Sequence, residues 1–175
     1  MAVITLEEAK TYLRVDSEDE NALISAMIDA AERHVELTTG RVLLTATFEL
    51  VYDEVLGSIE IPKSPLQEVT KIEVVSEAGV KTEVASSIYD VDTSGTLGRV
   101  QLKVGCVWPS HRGFASFIVT VKAGYGDTAA AVPSALKQAA LAALAVIFAS
   151  RGEMDREKIN SAVAALCGPH KVWRL

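Results

Sequence analysis

Thr45-Ala46-Thr47-Phe48-Glu49-Leu50-Val51-Tyr52-Asp53 is where the hydrophobic period of this chain changes. Phe48, Leu50 and Tyr52 alternate with Thr47, Glu49 and Val51, the period of two that sets one face of a strand against a core. Before this stretch the period is helical. Leu23, Ile24, Met27, Ile28, Ala31 and Val35 recur at three- and four-residue spacing, with Asp29, Glu32, Arg33 and Glu36 opposite. That stripe predicts a helix running to about Thr38 and terminated at Gly40. Upstream, Thr5-Leu6-Glu7-Glu8 is a capping box that opens a short helix in which Leu6, Ala9 and Leu13 share a face. Ser17-Glu18-Asp19-Glu20 repeats the pattern ahead of the long helix and puts its acids at the favourable end of the helix dipole.

Downstream, short strands are predicted at Ile59 to Ile61, Val69 to Val75, Lys81 to Val84, Ile88 to Val91, Arg99 to Val104 and Phe117 to Ala123. Pro62 and Pro65 separate the first two, and Glu77-Ala78-Gly79 makes a hairpin turn. Gly105 to Ala115 reads as an irregular loop. Helix returns at Val132-Pro133, with proline at the first helical position. Leu136, Ala139, Ala140, Leu141, Leu144, Ile147 and Phe148, backed by Ala142, Ala145 and Val146, leave that helix no wet face. It is therefore either central in the fold or shared with another subunit. Arg151-Gly152 ends it. Asp155 is placed to cap a last helix, Met154 and Ile159 have staple spacing, and Ile159, Ala162, Val163 and Leu166 form its stripe. Gly168-Pro169 stops this helix.

The order is that of an α+β protein: two N-terminal helices, a central antiparallel β-rich region, and two C-terminal helices packing with the N-terminal pair. The expected organisation is one domain, 1–175, with helices over 5–39 and 133–167. A β-rich insertion over about 45–124, forming one antiparallel sheet, and a tail over 168–175 complete it. A chain of 175 residues, 49% hydrophobic and 23% charged, suits one globular core. The longest apolar run, Ala139 to Ala149, is shorter than the roughly 20 residues that span a bilayer. No basic and apolar leader pattern opens the sequence, and Cys106 and Cys167 read as two reduced thiols, so a cytosolic, soluble chain is expected.

Residue types that carry chemistry are present but not in working constellations. His34 has no second ligand one turn away, so a partly buried structural histidine is expected. Cys167 and His170 lie at a helix end without an orienting acid, the minimum a Cys–His nucleophile requires. His111 and Arg112 sit in a loop that either binds phosphate or is simply solvated. Gly124-Tyr125-Gly126-Asp127 lacks the lysine and the hydroxyl residue of a phosphate loop. Asp16, Glu18, Asp19 and Glu20 lack the loop glycine and terminal glutamate of a calcium site. The reading is of a non-enzyme with no catalytic residues, no cofactor and no metal.

Several ordered segments resemble one family, the head–tail connector or adaptor proteins of tailed bacteriophages and prophages. They are Ile4-Thr5-Leu6-Glu7-Glu8-Ala9-Lys10-Thr11-Tyr12-Leu13-Arg14-Val15-Asp16, His34-Val35-Glu36 with Thr39-Gly40-Arg41, and Trp108-Pro109. Val121-Lys122-Ala123-Gly124-Tyr125-Gly126 and Val132-Pro133-Ser134-Ala135-Leu136-Lys137-Gln138-Ala139 complete the set, which resembles the longer members with a β-rich insertion. The resemblance implies a homo-oligomeric ring, generally a dodecamer, beneath the portal protein in the virion neck, reached from the host cytoplasm. Such a ring extends the DNA channel and docks the next neck or tail-completion protein. A stopper one position further down the neck, and a small enzyme using Cys167 and His170, are the rival readings.

The family supplies no catalytic residues, so the candidate sites are interfaces. Lys171, Trp173, Arg174 and Leu175 have the composition of an anchor for the portal or the adjacent subunit, or else fold back on their own subunit. Trp108, Arg112 and Phe114 form a second candidate, unless Trp108 plugs the end of the sheet. Leu136, Leu144, Ile147 and Phe148 are candidates for packing between subunits. The net charge of −6 offers no clustered cations to displace the counterions of DNA. Contact with passing DNA is therefore expected to be weak and non-specific: a duplex titration at physiological salt should show no submicromolar binding, and tight binding would revive a nucleic-acid role.

Overall fold

The computed structural model describes residues 2–53, 55, 57–150 and 156–173. They fall into two compact units: Met1–Leu44 with Tyr125–Leu175, and Thr45–Gly124. The predicted mixed α+β order holds, with two helices, a run of antiparallel strands, and two more helices.

The first unit is helical: α1 (Leu6–Leu13), α2 (Asn21–Thr39), α3 (Ser134–Ala149) and α4 (Arg156–Cys167). α3 packs against the other three. Its Leu136, Ala139, Ala140, Ala143 and Leu144 are wholly inaccessible to solvent, enclosed with Ile24, Ile28 and Val35 of α2 and Ile159 and Val163 of α4. Pro133 stands one residue earlier than expected, at the N-cap of α3. Ala162 is exposed, and Cys167 instead completes the buried stripe of α4. The sequence signals at Arg151-Gly152, Met154 and Asp155 lie outside the described residues.

The Thr5 capping box forms as read. Thr5 Oγ1 accepts from the Glu8 amide at 3.2 Å, and Glu8 Oε2 accepts from the Thr5 amide at 3.0 Å. The other Glu8 oxygen pairs with Lys137 Nζ of α3 at 2.7 Å, and this lysine leads in holding the Glu8 carboxyl below its ordinary range. The second copy of the pattern does not cap. Ser17 Oγ accepts from the Asp19 amide at 3.2 Å and donates to Asp19 Oδ2 at 3.0 Å, closing a local turn. α2 then begins only at Asn21, with no side-chain cap and no acid in its first turn. A serine hydroxyl spent on a turn is not available to a helix.

Three further residues of α2 depart from the amphipathic reading. Leu23, placed on the apolar stripe, is 49% exposed. Glu32 and Glu36, placed on the wet face, are half-buried and hold flanking backbone. Glu32 Oε1 accepts from the amides of Val3 at 2.7 Å and Ile4 at 2.8 Å, and Glu36 Oε1 accepts from that of Leu43 at 3.0 Å. A carboxylate one turn from the next ties the chain on both sides of the helix to it, satisfying amides that have no secondary-structure partner.

In the second unit the strands form two sheets and not the single sheet expected. β1 (Ala46–Tyr52), β7 (Phe117–Ala123), β3 (Leu66–Val75) and β4 (Lys81–Glu83) pair in that order. β2 (Ser58–Ile61), β6 (Gly98–Leu102) and β5 (Tyr89–Asp92) make the other sheet. Pro62 and Pro65 interrupt the ladder between β2 and β3, so each enters a different sheet. β1 alternates as read, with Phe48, Leu50 and Tyr52 on the half-buried face. The core gathers Phe117, Val119 and Val121 of β7 with Ile72, Val74, Ile59, Ile61 and Val100. At Gly98 a β-carbon would lie 2.1 Å from Leu66 Cδ2, so only glycine lets Leu66 into this core.

Burial pushes the Glu32 carboxyl above its ordinary value, against the pull of the Ile4 and Val3 amides. A carboxyl whose folded pKa is raised contributes stability that is complete below its unfolded pKa and is lost as pH rises through the folded one. Glu32→Gln keeps an acceptor for both amides and does not ionise. Urea unfolding from about pH 4 to about pH 8 should show wild type losing stability relative to this variant as pH rises. A difference that stays flat across the range would contradict the burial argument.

Candidate assembly interfaces

The C-terminal segment is pinned at one residue and free at the next. After α4 the chain makes a 3-10 turn over Gly168–His170, and the His170 carbonyl accepts from Arg41 Nε at 2.6 Å. The Val172 amide donates to the Thr39 carbonyl at 2.7 Å. Its side chain rests on Gly40, which sits at φ +71° as the expected left-handed terminator of α2. A β-carbon there would be strained by that φ and would press on Val172 Cβ at 3.3 Å. Trp173, one residue on, is 72% exposed, with Lys171 Nζ 4.6 Å from the centre of its ring. Arg174 and Leu175 lie outside the described residues. The tail thus folds back through Val172 and leaves Trp173 exposed.

The loop between β6 and β7 divides in the same way. Trp108 packs against Tyr89 at 6.4 Å and edge-on to Phe117 at 5.2 Å between ring centres. His111 lies 4.7 Å from the Phe117 ring and hydrogen-bonds the Pro109 carbonyl through Nδ1 at 2.8 Å. The Arg112 amide donates to the Val75 carbonyl at 2.9 Å, and its guanidinium donates to the Ala115 carbonyl at 3.0 Å. Trp108 and Arg112 therefore form the root of the loop, and their Nε1 and Nε donors are buried without a protein acceptor among the described residues. Phe114, 75% exposed, belongs to the outer surface, as do Val104 and Val107. Val104 continues the alternation of Val100 and Leu102, but β6 stops at Leu102, short of the expected Val104, and leaves it exposed. Val107 was missed in the sequence, and its signal is an apolar side chain outside any strand period.

Of the four α3 candidates, Leu136, Leu144 and Ile147 are covered by their own subunit. Phe148 is half-buried and, with Glu20, Leu23, Met27 and Ala149, lines a cleft of about 480 Å³. At the other end of α2, His34 Nε2 meets Asn160 Oδ1 of α4 at 3.0 Å. The Cys167 side chain is in the helical core, and burial pushes its thiol pKa up, away from the thiolate a nucleophile needs. Among the described residues no cluster of three His, Cys, Asp or Glu side chains is arranged to hold a metal, and no helix is long and apolar enough to cross a membrane.

Four packed helices, an inserted β unit and exposed apolar side chains are what the described residues present. Residues 3–99 match the family model of the phage gp6-like head-tail connector proteins, and this chain belongs to that family. A chain in the virion of a native gene transfer agent particle has the same fold, with a TM-score of 0.81 at 22% identity over 99% of this chain and 91% of that one. A chain in the neck of an empty particle of that kind, computed with C6 symmetry, gives 0.79 at 22% over the same shares. One in the neck of the native particle, computed with C12 symmetry, gives 0.75 at 23% over 95% and 89%. No curated protein matches the sequence.

The pinned valine separates stability from presentation. Truncation after Val172 should leave thermal melting unchanged. Truncation after Pro169 exposes the surface Val172 covers, worth roughly 1–2 kcal/mol, or a fall of about 2–8 °C for a chain of this size. Equal melting of the two truncated chains would show that Val172 holds nothing.

Proposed function

We propose that this protein is a structural connector of the virion neck, assembling as a ring below the portal, extending the DNA channel and docking the next neck protein. The observation that carries this reading is membership of the head-tail connector family over residues 3–99. The neck chains of the same fold come from particles treated with C6 and C12 symmetry, which supports a cyclic assembly and a dodecamer as its size. The role requires binding and no bond-making. The buried thiol of Cys167 argues against the enzyme reading on the same side.

The acidic balance suits a channel wall. DNA must slide past it, and clustered cations would hold each phosphate they met. The β6–β7 loop suits the docking of a different protein. Its aromatic root is ordered before any partner arrives, so little side-chain freedom remains to be lost when Phe114, Val107 and Val104 are covered. The position proposed is that of the adaptor; a stopper differs in what lies above the ring.

Electron microscopy of the purified chain, alone and with purified portal, tests the assembly. Rings seated on the portal are expected, and a monomer that leaves the portal bare would refute the reading. Phe114→Asp tests the loop. It should leave melting unchanged and weaken capture of the next neck protein by about tenfold or more, the loss of an exposed aromatic anchor. Undiminished capture would remove the loop from the docking surface.

A further inference from the structure

The two ends of α2 carry complementary surfaces. At its start, Leu23, Met27, Phe148 and Ala149 line the cleft of about 480 Å³, with Glu20 at the rim. That volume lies within the roughly 300–1,000 Å³ of pockets that accept a ring-sized group. At its finish the exposed indole of Trp173 stands with Lys171 above it. Neither Glu20 nor Lys171 has an opposite charge paired with it among the described residues. Both surfaces belong to the helical unit.

A chain cannot satisfy its own cleft. Leu23 and Thr39 are sixteen residues apart on α2, about 24 Å at 1.5 Å per residue. Val172 is fixed to Thr39 at the far end, so Trp173 has a reach of one residue, about 3.5 Å. We infer that Trp173 seats in the Leu23–Met27–Phe148 cleft of a second copy of this chain, with Lys171 facing that copy's Glu20. Two different patches meet, so the contact is heterologous and propagates from copy to copy, closing into a ring when the rotation permits. This deepens the ring reading proposed above and rests on it for closure. It also gives the tail to the neighbouring subunit and not to the portal.

The test uses full-length chains with Cys106→Ser, mixed as Glu20→Cys with Lys171→Cys under mild oxidation and viewed by electron microscopy, so that Trp173 and the cleft it enters stay intact. The expected result is a chain-to-chain disulfide at least about tenfold above the control mixture of Val91→Cys with Lys171→Cys, because thiols bond only within their short geometric reach. The double variant, Glu20→Cys with Lys171→Cys in one chain, should give a ladder of multimers. Rings without the link would overturn this contact and leave the ring reading standing. The link with open filaments would keep the contact and overturn ring closure, and neither rings nor link would overturn both. Charge reversal provides a second arm that depends on no thiol. Glu20→Lys and Lys171→Glu should each weaken self-assembly by roughly tenfold, and the two together should restore it. If Trp173→Ala assembles normally but fails to bind portal, the occupant of the tail is the portal and the inference is wrong.

Discussion

From Ala139 to Ala149, α3 carries no polar side chain, and that constraint organises the helical unit. Each Leu or Ile it offers gains about 1.5–3 kcal/mol when fully removed from water, so the helix is stable only where most of its sides are covered. α1, α2 and α4 provide that cover, each burying one stripe while keeping its other face wet. Only the first turns of α3 contain Lys137 and Gln138, and there Lys137 meets Glu8, the same residue that completes the capping box of α1. The start of the shortest helix is thereby tied to the start of the most apolar one.

The elements that sequence alone made legible are those where a local pattern and its tertiary use coincide. The capping box at Thr5, the alternation of β1 and the uniformly apolar α3 each have one stable outcome. The misreadings arise where one local pattern has two uses. Ser17 has a glutamate three residues on, as Thr5 does, but its hydroxyl closes a turn with Asp19 before the helix begins. Glu32 and Glu36 have helical spacing for a solvated face, yet backbone amides from outside the helix claim them. The pairing of strands into two sheets depends on partners far along the chain, and no window of a few residues contains that information. Of the candidate interfaces, the exposed tryptophan of the tail could be anticipated from Gly168-Pro169. The packing of Trp108 and Arg112 required the positions of Tyr89, Phe117 and Val75, which lie on three different strands.

Both candidate surfaces share a construction in which one residue is fixed and its neighbour is displayed. Val172 is held so that Trp173 need not be, and Trp108 is packed so that Phe114 need not be. The energy that orders each segment comes from the subunit's own core. The displayed side chain therefore meets a partner in a shape already chosen, and its burial is not consumed in arranging the backbone.

The β unit enters the chain on β1 and leaves it on β7, neighbouring antiparallel strands that pair Ala46 with Ala123. Facing α-carbons in such a pair stand about 4.5–5.5 Å apart, a gap that a two-residue turn spans. On the helical side, the Tyr125 amide donates to the Leu43 carbonyl at 3.2 Å, so the interruption is equally narrow there. The insertion is in effect a cassette with adjacent terminals. Its strands can lengthen, multiply or disappear in evolution without altering the span that α2 and α3 must bridge, and the β unit can be exchanged while the helical frame keeps the same register.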